Sequence, residues 1–425
     1  MAGNENSYPV LDLRRIVRNY CAFDFEDTIN KGEMMYQFDA EKVQSQRTVH
    51  IFYFCVILLS GVGLVTLYSS SYAFALRFFS DGNYFILRQI VFGAVGVVFF
   101  IIFSRINLGL LRKYVMLLVG LAAFLCVLTL IPGIGVERYG ASRWIEIGPL
   151  SYQPSEMVKF VLPLYLAHLL DKKADNLDNL YSGILPPVLV TGIFFGLIYI
   201  QNNFSTAVFI VFNALVIFYL AGVRYRYFLA AITMIVPVSA LLVFTKEHRV
   251  RRLVSFLRPQ WDPLGASFQV NASRDAIVSG GFWGKGIGEG TRKIASIPEI
   301  HSDFIFSAYA EETGFIGILL FFAMFALFAV LGYRAAWKSK TVFGRLLAAG
   351  LTTMIVSQAL LNAAVVSGAL PATGIPLPFF SAGGSSFATT LICAGLVANI
   401  ARKGGVNSGN TSDNADLISE GEDDI

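Results

Sequence analysis

Four stretches of this chain hold side chains able to do chemistry, and each borders a long apolar run. The first is Gly140–Lys159, where Arg143 and Trp144 set a cation beside an aromatic wall and Glu156 and Lys159 stand three residues apart. On a helix that spacing puts both groups on one face. Ionisable side chains within a membrane span face a partner or a cavity, so the two either form an internal ion pair or line a substrate cavity. The second stretch is Glu247–Ser302, with Arg249, Arg251, Arg252 and the glycine-rich Ser279–Gly290, followed by Arg292 and Lys293. Such a loop presents backbone N–H groups and cations, Lys285 and Arg292 among them, to phosphate. Turn chemistry alone also accounts for the glycines, and their spacing is not that of a dinucleotide fingerprint.

The third stretch, Ile297–Phe306, carries His301 and Asp303 and runs directly into an apolar segment. An Asp at a helix entrance either caps free N–H groups or serves as a general base. Glu311 and Glu312 follow deeper in the same segment; adjacent residues point in different directions, so at least one faces a cavity or a neighbouring helix. The fourth stretch, Pro371–Ser386, has three prolines and three glycines, lacks charge, and ends in Gly383-Gly-Ser385-Ser. It is too apolar for a water-exposed loop and too broken for a helix, which predicts a segment dipping back into protein at membrane depth. Gln358 and Asn362, four apart in the preceding run, read as polar glue between helices.

The elements that must position these groups are membrane helices. Of 425 residues, 55% are hydrophobic and 15% charged, against roughly a quarter charged in an average soluble domain. A bilayer core needs about 20 apolar residues per span. Runs of that kind fall near 50–74, 86–103, 111–131, 157–170, 183–199, 204–221, 227–245, 304–333, 343–369 and 385–401. The expected fold is all-α: a polytopic integral membrane protein of about ten transmembrane helices with one long extracytoplasmic loop. Alternate short loops collect Lys and Arg (Arg105, Arg112 and Lys113; Lys172 and Lys173; Arg224 and Arg226; Arg334 to Arg345; Arg402 and Lys403). That bias puts both termini in the cytoplasm. The chain divides into a cytoplasmic N-terminal tail (1–49), a transmembrane domain (50–403, with the large loop at 246–302) and an acidic tail (404–425) too poor in apolar residues to fold. A net charge of +4 without a dense basic run argues against a nucleic-acid partner. The four cysteines and four histidines are dispersed, with no metal or redox spacing.

Taken in order, these segments resemble the SEDS family (shape, elongation, division and sporulation) of FtsW/RodA type, over roughly residues 50–403. The matching pieces are Leu67-Tyr-Ser-Ser-Ser71, Arg88-Gln89, the run from Ser142 to Lys159, Asp262-Pro with Phe268-Gln269, Gly284-Lys-Gly-Ile-Gly288, Pro298 to Phe306, Glu311 to Gly317 and Gly383 to Ser386. One departure is Asn203, where the family often has a carboxylate.

The resemblance implies an inverting peptidoglycan glycosyltransferase that polymerises lipid II, the undecaprenyl-pyrophosphate-linked disaccharide-peptide, outside the bacterial cytoplasmic membrane. It further implies a class B penicillin-binding protein transpeptidase as partner, alongside other membrane proteins of the division machinery. A pyrophosphate leaving group needs no acid, so one carboxylate base suffices, and cations must hold the departing charge. Asp303 matches the family's catalytic aspartate, which favours base over cap. Arg143, Trp144, Glu156, Lys159, Lys285, Arg292, His301 and Ser385 are the expected substrate-binding residues. No cofactor is demanded, and a divalent cation on the pyrophosphate is compatible with the chemistry. The extended tails favour a division-type, septal member; an elongation-type polymerase and a lipid II flippase are the alternatives.

Overall fold

The protein was analysed as a computed structural model that describes residues 13–138, 141–148, 150–258, 267–290 and 300–403. Thr48–Gly404 form one compact unit. In chain order the helices are α1 (Leu13–Phe79), α2 (Tyr84–Arg105), α3 (Leu108–Lys113), α4 (Val115–Leu128), α5 (Pro154–Lys172), α6 (Leu185–Ile200), α7 (Phe204–Leu220) and α8 (Tyr225–Phe244). Two shorter ones, α9 (Glu247–Leu257) and α10 (Phe268–Gly280), lie in the long loop, and α11 (Ile305–Lys338), α12 (Val342–Val366) and α13 (Gly384–Lys403) close the chain.

Among the described residues seven helices are long and apolar enough to cross a membrane: Gln46–Phe79, Tyr84–Arg105, Leu180–Ile200, Tyr225–Phe244, Ile305–Lys338, Val342–Val366 and Gly384–Lys403. The shorter apolar helices α4 and α7 join them. Helix α5 is also long enough, but Glu156, Lys159, Asp171 and Lys172 dilute its hydropathy. Together these correspond to the ten apolar runs of the sequence, and the chain is a multi-pass membrane protein. Local signals set several boundaries. Asn107 caps α3 by accepting from the Gly109 N–H, Pro154 stands in the first turn of α5, and the Thr341 side chain accepts from the Gly344 N–H to start α12.

The all-α expectation omits one feature. Three short strands, β1 (Gly135–Arg138), β2 (Ala141–Ile147) and β3 (Leu150–Tyr152), form an antiparallel sheet in the order β1-β2-β3. Val136 pairs with Trp144 and Ile145 with Tyr152, and the register shifts between Val136 and Glu137. β-Branched and aromatic residues at alternate positions favour the extended chain over a loop.

Helix α5 runs through the core: every residue from Pro154 to Ala167 is buried. It packs against α4, α7, α12 and α13. Helix α8 lies at the opposite extreme, with no buried residue. The segment between α12 and α13 is irregular yet enclosed, with Ile375, Leu377, Phe379 and Phe380 all at 2% exposure or less. Its two phenylalanines enter the aromatic packing of α11, with ring centroids 6.0 Å apart for Phe328–Phe379 and 5.6 Å for Phe321–Phe380. This is the inward-dipping segment that the sequence predicts.

Candidate functional site

Backbone groups buried away from water need partners, and the irregular segment finds its own in side chains from several helices. Gln358 of α12 donates from Nε2 to the Pro376 carbonyl at 2.8 Å. One turn further, Asn362 donates from Nδ2 to the carbonyls of Ile375 (2.9 Å) and Asp303 (2.8 Å). Gln89 of α2 donates to the Ser381 carbonyl at 3.3 Å and accepts from the Gly383 N–H at 3.4 Å. The Ser381 hydroxyl accepts from the Leu377 N–H and donates to the Ser302 carbonyl, while the Ala382 N–H donates to the His301 carbonyl at 2.8 Å. The segment is thus sewn to the turn that carries Asp303. Asn362 holds non-helical backbone instead of joining helix to helix as the spacing suggests, whereas Gln358 does both: it holds the Pro376 carbonyl and accepts from Lys159 of α5.

Asp303 stands just before α11, whose N-cap position is Phe304. Its Oδ1 accepts from the Ser302 hydroxyl at 3.2 Å. Its Oδ2 faces the backbone of Gly374, where a Cβ would lie 3.3 Å from it and where φ is +72°. Glycine there gives the carboxylate room and supplies a backbone conformation that other residues rarely adopt. Two guanidinium groups lie within electrostatic reach of the carboxylate, Arg143 of β2 and Arg252 of α9. Burial pushes both down from the usual arginine value; Arg252 pushes Arg143 further down, and the Asp303 carboxylate draws both back up. Arg143 keeps a buried Nε without a hydrogen-bond partner, and Arg252 donates to the Ala372 carbonyl at 3.4 Å. A groove of about 410 Å³ opens beside Arg252, lined also by Asn271, Arg274, Leu370 and Ala372. One carboxylate within electrostatic reach of two cations can take a proton from a hydroxyl and stabilise an anion forming next to it.

The other expected substrate residues are placed elsewhere or differently. Trp144 is half-buried in β2, beside Arg143 in sequence. Lys159 donates to Glu156 at 2.8 Å and to Gln358 Oε1 at 3.2 Å, with all of this inside the helix core. His301 is 6% exposed, with its ring 4.1 Å from that of Phe85 and 5.0 Å from that of Phe74. Burial pushes the imidazole down to about 4, so at neutral pH it carries no charge for a phosphate. Ser385 is buried in the first turn of α13. Arg292 lies outside the described residues.

Lys285 and the glycine-rich turn have partners within the protein. The Lys285 ammonium pairs with Glu311 at 2.9 Å, and the glycine-rich turn spends its N–H groups on α11: Lys285 N donates to the Glu311 carbonyl (3.1 Å) and Gly286 N to that of Glu312 (3.0 Å). The Glu312 carboxylate accepts from the Gly288 N–H at 3.2 Å and from the Ser69 hydroxyl of α1. The turn is a structural lock on α11. Among the described residues no three His, Cys, Asp or Glu side chains gather as a metal site. Sequence reasoning missed Gln89 as part of the site; the signal was an amide in an otherwise apolar span, where a polar group seeks a specific partner.

A family model described as "Cell cycle protein", covering FtsW, RodA and SpoVE, matches residues 49–405. The chain belongs to this family. Similar relatives include the probable peptidoglycan glycosyltransferase FtsW of Trichlorobacter lovleyi, 38% identical over 81% of this chain and 91% of the relative. The protein of the same name from Borreliella burgdorferi is 35% identical over 85% of this chain and 98% of its own. Stage V sporulation protein E of Bacillus subtilis is 35% identical over 81% and 94%. Among solved structures, a chain of a peptidoglycan synthase complex that coordinates polymerization and crosslinking superposes with a TM-score of 0.69 at 28% identity, covering 83% of this chain and 97% of that one. The rod-shape-determining protein RodA of Thermus thermophilus superposes with a TM-score of 0.62 at 26% identity, covering 84% and 97%. The family thus shares both the fold and nearly the whole length of the membrane domain.

Proposed function

We propose that this chain is a peptidoglycan glycosyltransferase of the division type, polymerising lipid II into glycan strands at the outer face of the bacterial cytoplasmic membrane. The observation that carries the reading is the Asp303 carboxylate, set against the Gly374 backbone with the Arg143 and Arg252 guanidinium groups close enough to feel its charge. Asp303 removes the proton from the 4-hydroxyl of the acceptor sugar. That oxygen attacks the donor's anomeric carbon in line, the bond to pyrophosphate breaks with its electron pair leaving on the phosphate, and the configuration inverts. The proton stays on Asp303 until solvent removes it. Pyrophosphate is a stable anion, so the step asks for a base and for cations but for no acid. Arg143 and Arg252 supply the positive field.

The division-type role rests on the FtsW name shared by the relatives above. The synthase complex supports a crosslinking partner, which we take to be a class B penicillin-binding protein at the septum. The Lys and Arg bias of alternate loops supports cytoplasmic termini; a reporter fused after Ala266 then lies outside the cytoplasm and one after Lys338 inside.

Asp303→Asn tests the reading. It keeps side-chain size and hydrogen-bond acceptance but removes the basic oxygen, so gel-resolved polymer from labelled lipid II is expected to fall by roughly 10²–10⁴-fold. Folding and lipid II binding should persist. Near-normal polymer from this variant would remove Asp303 as the base, and a wild-type protein that moves lipid II across vesicles without making polymer would be a transporter instead.

A further inference from the structure

Lys159 is an ammonium 3% exposed in the middle of a helix bundle. Glu156 neutralises it, but a buried ion pair is seldom the most stable filling for a core, and two well-packed apolar residues often serve as well or better. What the charge does here lies in its second contact. Lys159 also donates to Gln358 Oε1 at 3.2 Å, and the same amide donates from Nε2 to the Pro376 carbonyl at 2.8 Å. An amide has an acceptor at one end and donors at the other. Turned over, Gln358 would set its N–H₂ against the ammonium and its oxygen against the Pro376 oxygen, donor to donor and acceptor to acceptor. The ammonium therefore dictates which way the amide faces. Asn362, one turn on, holds the adjacent Ile375 carbonyl, and Gly374 next to it is the backbone that the Asp303 Oδ2 faces.

We propose that Lys159 is a positioning residue for the base: held by Glu156, it orients the Gln358 amide, which fixes the Pro376 carbonyl and with it the Gly374 backbone at Asp303. This rests on the polymerase reading and assigns Lys159 a task other than the substrate contact that its charge suggests. It also explains a cation on α5 whose ligands are two side chains of the protein itself.

The test uses the full-length chain with its transpeptidase partner and labelled lipid II. Lys159→Met is paired with Glu156→Gln so that no orphan charge is left buried, and it is compared with Gln358→Met and with the triple variant. Each is expected to lower kcat at least tenfold while KM for lipid II stays within twofold. The triple variant should be no worse than the poorer of the two, because members of one chain of contacts do not add. Lys159→Arg should keep activity within a few fold. Gln358→Glu keeps an acceptor for the ammonium but loses the donor to Pro376, and should fall with Gln358→Met.

A tenfold rise in KM with kcat kept, or losses that multiply in the triple variant, would overturn the proposal. Amide exchange at Leu377, Phe380 and Ser381, read by mass spectrometry, tests the positioning without any turnover. It should quicken at least tenfold in both neutral variants, and unchanged exchange overturns the inference whatever the polymer gel shows. Absence of polymer from the wild-type complex would instead sink the polymerase reading.

Discussion

The side-chain amide of Asn362 donates to the carbonyl of Asp303 itself, at 2.8 Å, and to that of Ile375, at 2.9 Å. One side chain thus joins two segments that are distant in sequence, the turn carrying the carboxylate and the irregular backbone facing it. Asn362→Leu keeps the branched shape, at a larger volume, and removes both donors, leaving two carbonyls without them. At about 1–3 kcal/mol for each unsatisfied group, a loss of stability of roughly 2–6 kcal/mol is expected, with polymer yield down more than tenfold. Thermal unfolding of the purified protein and a lipid II assay on the same sample check both halves. A stable, fully active variant would mean that the Asp303 turn holds its place without this tie.

Arg143 and Arg252 make a second prediction. If the charge that they stabilise develops only as pyrophosphate departs, their loss appears in kcat and much less in KM. Arg143→Ala and Arg252→Ala are each expected to slow single-turnover polymerisation by roughly 10²–10³-fold, the range for removing one well-placed electrostatic partner. Lysine in place of either should recover only part, since an ammonium cannot reproduce the planar fork of a guanidinium. Retained rates in both alanine variants would leave Asp303 without its cations.

Much of this was legible beforehand, because membrane spans are written as apolar runs: the run read at 343–369 is α12 at Val342–Val366, and that at 385–401 is α13 at Gly384–Lys403. The broken apolar stretch 371–386 announced an inward-dipping segment by its prolines. Partners were not legible. A glutamine and an asparagine four apart on an apolar helix bond to whatever the fold brings to them, and here that was the carbonyls of Pro376, Ile375 and Asp303 together with Lys159 of α5. The glycines at 284–288 take part in a backbone exchange with α11, which their spacing did not announce, since a glycine-rich turn is equally suited to turn chemistry or to an anion. The small sheet of β1, β2 and β3 escaped because its strands are short and flanked by spans.

His301 gives a pH prediction. Its ring is neutral in the folded protein down to about 4, because burial disfavours the imidazolium, whereas an unfolded histidine protonates near 6.5. Between those values the unfolded chain binds the extra proton, so stability falls as the pH drops from 6.5 towards 4 and is constant, for this group, above 6.5. The effect is on the order of 3 kcal/mol across the window. His301→Phe retains an aromatic ring beside Phe74 and Phe85 and removes the titration. The gap in melting temperature between variant and wild type should widen in the variant's favour between pH 7 and pH 4.5. A gap independent of pH would mean that the ring is wetter than its surroundings indicate.

The last prediction concerns the lock between the glycine-rich turn and α11. In an unbroken helix Phe315 N and Ile316 N would donate to the carbonyls of Glu311 and Glu312. Gly314, at φ 65° and ψ −161°, breaks α11 at that point. Phe315 N donates instead to the Gly281 carbonyl and Ile316 N to that of Phe282, while the freed Glu311 and Glu312 carbonyls accept from Lys285 N and Gly286 N. Two helical hydrogen bonds give way to four between the turn and α11, which offsets the break. The exchange requires two bare backbones: a Cβ on Gly314 would lie 2.2 Å from Gly284 N, and one on Gly284 2.1 Å from the Glu312 carbonyl oxygen. Both residues also hold positive φ, at 65° and 82°. Gly314→Ala and Gly284→Ala each add a left-handed strain of about 1–3 kcal/mol to a clash with rigid backbone, so each should destabilise by more than about 2 kcal/mol. Gly192→Ala is the control: it lies in α6 with nothing within 4 Å of the added carbon, and should be neutral or stabilising by up to roughly 1 kcal/mol through helix propensity. Melting temperatures of the three purified variants decide the matter. If Gly284→Ala melts with Gly192→Ala, the backbone exchange does not grip α11, and the side-chain ties of Glu311 to Lys285 and of Glu312 to the Gly288 N–H must hold it.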